Sequence, residues 1–396
     1  VYKRQLFAGP RSLIFRCAAA RRPTAMDLSP EDSLRLNVLL ANKPQAIRIN
    51  ESSMVVFGLS QQGEARVDLN PTCRDEQYIK RVKELISGHI LGSPGGYPVY
   101  LQRWTRMGQM KDDSLEQLLM LGEPEAVVAA VCAPGLTDEL ARRAWWAMED
   151  AENARHMLRK QMVCEGEMGP VLASYLVEHL PFESEPEKQI ETIRLVLQPG
   201  LLDDAQVNDL WRKAARKPPY FVGFIASRAD NIPETEDAHP LWHAHAEMLE
   251  QLAAGGNTAA AALSRVLGAP GQAWMQTVYK VFRKPSNQDV INIALDEIAA
   301  YFGTLRVEPV DATLKELAEE ARAWVNGAGA AQVLAREPDL RDALVAARVL
   351  SGLSYGVVRP VFRGTTAIGS LMRKKLAPVM DELYPHLNSL AGRRPR

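Results

Sequence analysis

Two stretches of this sequence decide its fold class: residues 132–146, CAPGLTDELARRAWW, and residues 197–211, LQPGLLDDAQVNDLW. Both contain Pro-Gly-Leu-x-Asp, 65 residues apart, and Trp146 and Trp211 follow it at the same offset. Proline and glycine end an apolar helix, and an aspartate near the next helix start complements the positive end of its dipole. The repeat predicts stacked helical hairpins that bury their apolar faces against their neighbours. The alternative is one irregular helical domain in which the turn recurs by coincidence.

The residues before this helical body predict a small α+β unit. Ser29 is a helix N-cap with Pro30 at the first helical position, and the helix runs to about Ala41. Three runs that alternate or are β-branched predict an antiparallel meander: 46–50, 54–59 and 65–69. Thr72 caps a second helix, and Gly88 ends it. The predicted fold class is therefore mainly α, with a small N-terminal α+β unit and a helical-hairpin, repeat-like body.

A glycine-rich stretch follows the second helix: residues 92–109, GSPGGYPVYLQRWTRMGQ. It lacks the Gly-Lys-Ser/Thr end with which a P-loop holds phosphates and magnesium, and it follows a helix instead of leading from a strand into one. We expect a turn into a fourth strand that closes the sheet. In the alternative interpretation Arg103, Trp104 and Arg106 bind a carboxylate, a phosphate or a base by ion pairing and stacking.

This stretch also carries a family resemblance, together with CRDEQYIKRVKELISGH at 73–89 and DELARRAWWAMEDAENARHML at 138–158. The three segments resemble the DsrS family, whose members are cytoplasmic proteins encoded with the dissimilatory sulfite reductase system of sulfur-oxidising bacteria. The resemblance runs from about Met26 through the helical body. It implies a pathway and a cytoplasmic location, and it assigns no catalytic or cofactor residue.

The N-terminal residues differ in character from the rest. The first five, VYKRQ, are those encoded by the end of a transposon adapter used in sequencing libraries, so residues 1–25 are expected to be a non-native, dispensable extension. An organellar transit peptide is the alternative, because the segment has six basic residues and no acidic one. Without it the chain has 41 basic and 48 acidic residues, a net charge of −7, which disfavours general nucleic-acid binding.

The length of the chain and its proline- and glycine-containing breaks predict several domains. The predicted units are the extension 1–25, the α+β domain 26–110, a helical-hairpin region 111–230 and a C-terminal helical region 231–396. No run of 18 apolar residues predicts a membrane span. The scattered cysteines are expected to be small buried hydrophobes in a reducing cytoplasm, not a disulfide framework.

The most metal-like segment is HPLWHAHAE, residues 239–247. His243 and Glu247 share a helix face, but His245 points away from them, and His239 is expected to cap a helix in which Pro240 is the first residue. Two convergent ligands are one short of a catalytic zinc site, so no metal and no cofactor is predicted. The chain has no Gly-x-Ser-x-Gly elbow and no other catalytic signature, which argues against an enzyme.

Residues 343–380 contain six basic residues and no acid. They predict a solvated face, a docking patch for an acidic partner or a contact with a membrane surface. The docking candidates are Arg359, Arg363, Arg373, Lys374 and Lys375.

Together these features predict a cytoplasmic accessory or regulatory protein of dissimilatory sulfur oxidation that acts by binding other proteins. One alternative is a small-anion or small-ligand binding protein, or an enzyme, that uses the strand end at Arg103–Arg106. A second alternative is a regulator that contacts RNA through residues 343–380.

Overall fold

The computed structural model describes residues 28–92, 95–96, 113–306, 308, 310–364 and 368–393. Over these residues the protein is mainly α, with a small three-stranded antiparallel sheet near the N-terminus, which confirms the predicted fold class. The chain divides into two compact units at 130/131. The elements up to residue 132 are α1 (Pro30–Ala41), β1 (Ala46–Asn50), β2 (Val55–Ser60), β3 (Gly63–Asp68), α2 (Asp75–Leu91), α3 (Asp113–Leu119) and α4 (Pro124–Cys132).

The described residues of the second unit are mostly helical. Its helices are α5 (Asp138–Ala147), α6 (Ala151–Leu158), α7 (Gln161–Cys164), α8 (Met168–His179), α9 (Pro186–Val196), α10 (Asp204–Ala214), α11 (Pro218–Ser227), α12 (Pro240–Ala254), α13 (Thr258–Leu267), α14 (Ala269–Arg283), α15 (Gln288–Tyr301), α16 (Leu314–Trp324), α17 (Ala328–Leu334), α18 (Arg341–Leu350), α19 (Tyr355–Phe362) and α20 (Gly369–Leu390). Short 3₁₀ turns lie at Leu180–Phe182, Gly303–Leu305 and Pro338–Leu340.

The first unit packs α1 and α2 against the sheet β1-β2-β3. Ser29 caps α1 as predicted, because its hydroxyl accepts a hydrogen bond from the amide of Asp32. The buried Asp32 carboxylate in turn accepts from the hydroxyl of Tyr78 on α2 and from the amide of Asn70. These bonds join the start of α1 to α2 inside an aliphatic core, and they satisfy polar groups whose burial would otherwise cost free energy.

Both predicted ends of α2 are wrong. The helix begins at Asp75, not after Thr72, and its first-turn acids interact with the helix dipole in place of a side-chain cap. It continues past Gly88 because a glycine on an open helix face does not stop a helix whose other residues are good helix formers. The helix ends at Gly92, whose φ of 65° lies in the left-handed region that glycine adopts without strain.

The second unit is built around α11, which is buried nearly all round. Phe224 on α11 is completely buried, and Gly223 allows close approach to α9, since a Cβ there would lie 2.4 Å from Ile193 Cγ2. The helix packs against α9 and α10 and also against α14 and α15, far along the chain. On α14, Trp274 donates a hydrogen bond to the carbonyl of Ile225 at 3.1 Å and so fixes α14 against α11. The boundary predicted at 230/231 falls inside this unit.

The two Pro-Gly-Leu-x-Asp elements both connect an apolar helix to the next helix, but they differ in register. In the first, Thr137 is the N-cap of α5 and Asp138 is the first helical residue. In the second, Asp203 is itself the N-cap of α10 and forms a capping box with Gln206. This difference of one residue frees the side chain of Asp138 for a contact outside α5.

Within the described residues, no single helix is long and apolar enough to span a bilayer. The segments Pro338–Leu350 and Tyr355–Phe362, bent by 66° relative to each other, meet the requirement together by length and composition. The domain boundary predicted at 110/111 lies among residues that the structure does not describe.

Candidate protein-docking surface

One predicted site lies outside the described residues. Arg103, Trp104 and Arg106, and the strand expected around them, belong to residues 97–112. Gly96, at the edge of the described part, has a φ of 65° and donates its amide to the Ser87 hydroxyl at 2.8 Å. Glycine adopts this left-handed backbone without strain. The ligand-binding interpretation of Arg103–Arg106 stays a prediction.

The histidine segment forms a helix start, as predicted. Pro240 occupies the first turn of α12, and His239 caps it by accepting the amide of Leu241 on Nδ1 at 3.1 Å. His245 lies 3.4 Å from a carboxylate oxygen of Glu337, away from the exposed His243. Among the residues described, no group of three or more His, Cys, Asp or Glu is arranged to hold a metal ion.

The cysteines do not all meet their expected burial. Cys132 is exposed, whereas Cys73 and Cys164 are half-buried. The thiol of Cys164 lies 2.9 Å from the carbonyl oxygen of Leu158, and burial raises its pKa. A thiol that stays protonated is a poor nucleophile, and this one contacts the Leu158 carbonyl and the Gln198 side chain.

The basic run 343–380 does not form one surface. Arg348 points inward, where its guanidinium pairs with Glu320 and lies 5.1 Å from the centre of the Trp324 ring. Arg359 is exposed on α19 and pairs with Asp311, which precedes α16. The interpretation of the whole run as a solvated face is therefore wrong for Arg348, because Glu320 compensates its burial.

The remaining basic residues lie directly after α19 (Arg363) or in the second turn of α20 (Arg373, Lys374 and Lys375). One face of α20 is buried through residues spaced three or four apart, such as Met372 and Leu376, and the other face stays exposed. Two aliphatic side chains on the exposed side are accessible, Ile368 to 71% and Leu371 to 56%. We call this surface the basic corner; it consists of Arg363, Ile368, Leu371, Arg373, Lys374 and Lys375, all of them exposed.

A second exposed apolar surface, which the sequence interpretation missed, lies on α8 and the turn after it. Val171, Tyr175, His179 and Phe182 recur every three or four residues; we call them the α8 stripe. Phe182 is 85% exposed and Val171 is 49% exposed. His179 stacks on Tyr175 with ring centres 3.9 Å apart, so its imidazole supports the aromatic surface. The spacing was readable in the sequence, but the exposure was not.

The start of α8 is held by a residue from α5. The carboxylate of Asp138 accepts hydrogen bonds from the amides of Glu167 and Met168, at 3.0 and 3.1 Å. Gly166 leaves the space for this carboxylate, since a Cβ there would lie 2.2 Å from Asp138 Cγ. Amides at a helix start have no partner within the helix, so Asp138 satisfies groups that would otherwise need water. The Pro-Gly-Leu-x-Asp element thereby positions the α8 stripe.

Comparison of the chain with protein-family models, with curated proteins and with solved structures found no match. The resemblance to the DsrS family stays a prediction.

Proposed function

We propose that this chain is a cytoplasmic accessory protein of dissimilatory sulfur oxidation that acts by binding an acidic partner protein through the basic corner. The observation that carries the proposal is the exposure of Ile368 and Leu371 between basic side chains. Large exposed aliphatic residues cost solvation free energy, and a partner that covers them recovers it. The pathway rests on the resemblance to the DsrS family.

The composition of the basic corner favours a protein partner over a nucleic acid. Nucleic-acid affinity depends mainly on neutralised phosphates, and the whole chain carries a net charge of −1. Apolar anchors within a charged rim are instead typical of protein interfaces, where charge guides the encounter and buried side chains supply affinity. The expected partner surface is acidic and has an apolar depression.

The test uses the tagged full chain in the sulfur-oxidising bacterium that encodes it, with the untagged gene deleted. Protein is cross-linked and purified from cells grown on reduced sulfur, and the amounts of co-purified sulfur-pathway proteins are compared between variants. The double substitution Arg373→Glu with Lys374→Glu reverses the charge of two residues in the basic corner. The matched control is Arg216→Glu with Lys217→Glu, an exposed pair between α10 and α11 that undergoes the same charge change.

We expect a sulfur-pathway protein to co-purify with the wild type and with the control. Its recovered amount should fall at least tenfold with the charge-reversed corner, which corresponds to a loss of about 1.4 kcal/mol or more of binding free energy. Growth on reduced sulfur should fall in parallel, with unchanged melting of the purified variant. Equal recovery with all three proteins excludes the corner as the docking site. Normal growth of the deletion strain on reduced sulfur would reject the proposed role of this chain in sulfur oxidation. Recovery of RNA or lipid in place of a protein supports the rival interpretations.

A further inference from the structure

The surroundings of the α8 stripe are acidic. Trp145 packs edge-on against the Tyr175 ring with ring centres 4.7 Å apart, and Glu149 and Asp150 follow Trp145 just after the end of α5. Burial, and secondarily the negative charges of these two carboxylates, raises the pKa of Tyr175. Glu178 is exposed on α8 three residues after Tyr175, where it is a neighbour on the helix surface. The stripe is therefore an aromatic surface with a negative rim.

A pocket of about 200 Å³ opens beside the stripe. Leu176, Leu180 and Phe182 form its apolar part, and Glu183 and Arg155 form its polar part. The Arg155 guanidinium is buried and bound by Glu152 at 2.7 Å and by Glu183 at 3.5 Å, so it adds no cation to the rim. The pocket has the size of one long side chain, and its apolar wall fits the aliphatic stem of a lysine or arginine. Glu183 and Glu152 together leave one net negative charge beside the paired Arg155, which favours a cationic end.

The chemistry that fits this surface is basic with apolar anchors, and the basic corner of the same chain has it. In the corner, Leu371 is 56% exposed three residues before Lys374, its neighbour on the helix surface, and the exposed Arg373 lies on another side of the same turn. The two surfaces lie on different groups of helices. α8 packs against α5, α6, α7 and α9, whereas α20 packs against α16, α18 and α19. Their charges are opposite, and each has an uncovered apolar centre.

We propose that the α8 stripe is the docking site for the basic corner of a second copy of this chain. A contact between two different surfaces is heterologous, and it builds a ring or an open chain of copies. Phe182 covers Leu371 of the next copy, the acidic rim faces Arg373 and Lys374, and one basic side chain enters the pocket next to Glu183. The contact uses the corner of the proposed function, so an acidic partner competes with self-association.

The test is sedimentation velocity of the purified full chain without any partner, which separates this proposal from the proposed function. In about 0.05 M salt we expect the weight-average sedimentation coefficient to rise between about 5 and about 200 µM protein, because mass action favours the assembly. Raising the salt to about 0.5 M shortens the screening length to about 4 Å and should abolish the rise. A chain that stays monomeric throughout this range at low salt overturns the proposal.

Variants identify the surfaces. Glu149→Lys with Glu178→Lys makes the rim basic, and Arg373→Glu with Lys374→Glu makes the corner acidic. We expect each double variant alone to associate at least tenfold more weakly than the wild type, and an equimolar mixture of the two to associate again, because the altered rim and the altered corner are complementary. A mixture that stays monomeric overturns the proposal.

Phe182→Ser tests the apolar centre without a change of charge and should also weaken association at least tenfold. Phe182 is almost fully exposed, so its loss should leave thermal unfolding unchanged. The control Arg216→Glu with Lys217→Glu should associate like the wild type. Self-association that survives all of these changes belongs to another surface and refutes the assignment.

Discussion

The contact between Asp138 and the start of α8 makes a quantitative prediction. Asp138→Ala removes a carboxylate that accepts two backbone amides, at 3.0 and 3.1 Å. Loss of a capping side chain costs about 0.5–2 kcal/mol, and Asp138 also loses its favourable position in the first turn of α5, worth about 0.3–1 kcal/mol. Since the site is half-buried, we expect the variant to lose about 1–2 kcal/mol of unfolding free energy. Asp138→Asn keeps one acceptor oxygen and should lose less.

Gly166→Ala separates this contact from a general helix effect. Its Cβ would lie 2.2 Å from Asp138 Cγ, so the carboxylate must leave the α8 amides and the variant should also lose about 1–2 kcal/mol. When Asp138 is already Ala, the space is empty, and Gly→Ala should stabilise the protein by about 0.4–1 kcal/mol because it restricts the unfolded chain. The effect of Gly166→Ala on the free energy of unfolding therefore has opposite signs in the wild type and in the Asp138→Ala variant.

Urea unfolding followed by circular dichroism measures the four proteins of this double-mutant cycle, with the midpoint shift taken at constant m-value. We expect a coupling free energy of about 1.5–3 kcal/mol between residues 138 and 166. If Gly166→Ala costs the same in both backgrounds, the carboxylate is not what the glycine accommodates, and the reasoning about the α8 start is refuted.

Two further predictions concern single residues. Burial lowers the pKa of His239, and its neutral Nδ1 accepts a hydrogen bond from the Leu241 amide. The stability that this bond contributes is complete above the unfolded-state pKa of about 6.5. It is lost as the pH falls from there through the lower folded-state pKa. His239→Asn keeps an acceptor, so its urea midpoint should fall less than that of the wild type between about pH 7 and pH 5, and parallel profiles would contradict this role. Gly96→Val, at a φ of 65° and with its Cβ 2.1 Å from a Glu123 carboxylate oxygen, should cost about 1–3 kcal/mol by thermal unfolding. The matched control Gly88→Val, inside α2 with open space around it, should stay within about 0.5 kcal/mol, and equal losses for both would remove the case for strain.

The sequence determined the elements whose signals are local. Ser29 with Pro30 predicted the start of α1, and His239 with Pro240 predicted the start of α12, because capping and proline geometry depend on a few adjacent residues. The alternation in residues 46–69 predicted the three-stranded meander for the same reason. Local signals predicted the wrong ends for α2. Gly88 was expected to end the helix, but Gly92 is the glycine with a left-handed backbone, and the helix ends there.

Only the tertiary structure decided which charged and apolar side chains are available for binding. In the basic run, Arg348 is nearly buried and paired with Glu320, and Arg359 is exposed but paired with Asp311, while Arg373 and Lys374 are exposed on α20. The acidic partners of Arg348 and Arg359 lie tens of residues away in the chain, so the periodicity of the sequence does not predict these ion pairs. Exposure itself is also non-local: the spacing of Val171, Tyr175, His179 and Phe182 is that of a core stripe as much as of a surface one. The packing of the neighbouring helices leaves Phe182 uncovered and buries Leu176, six residues earlier. That difference depends on contacts that form only when the helices assemble.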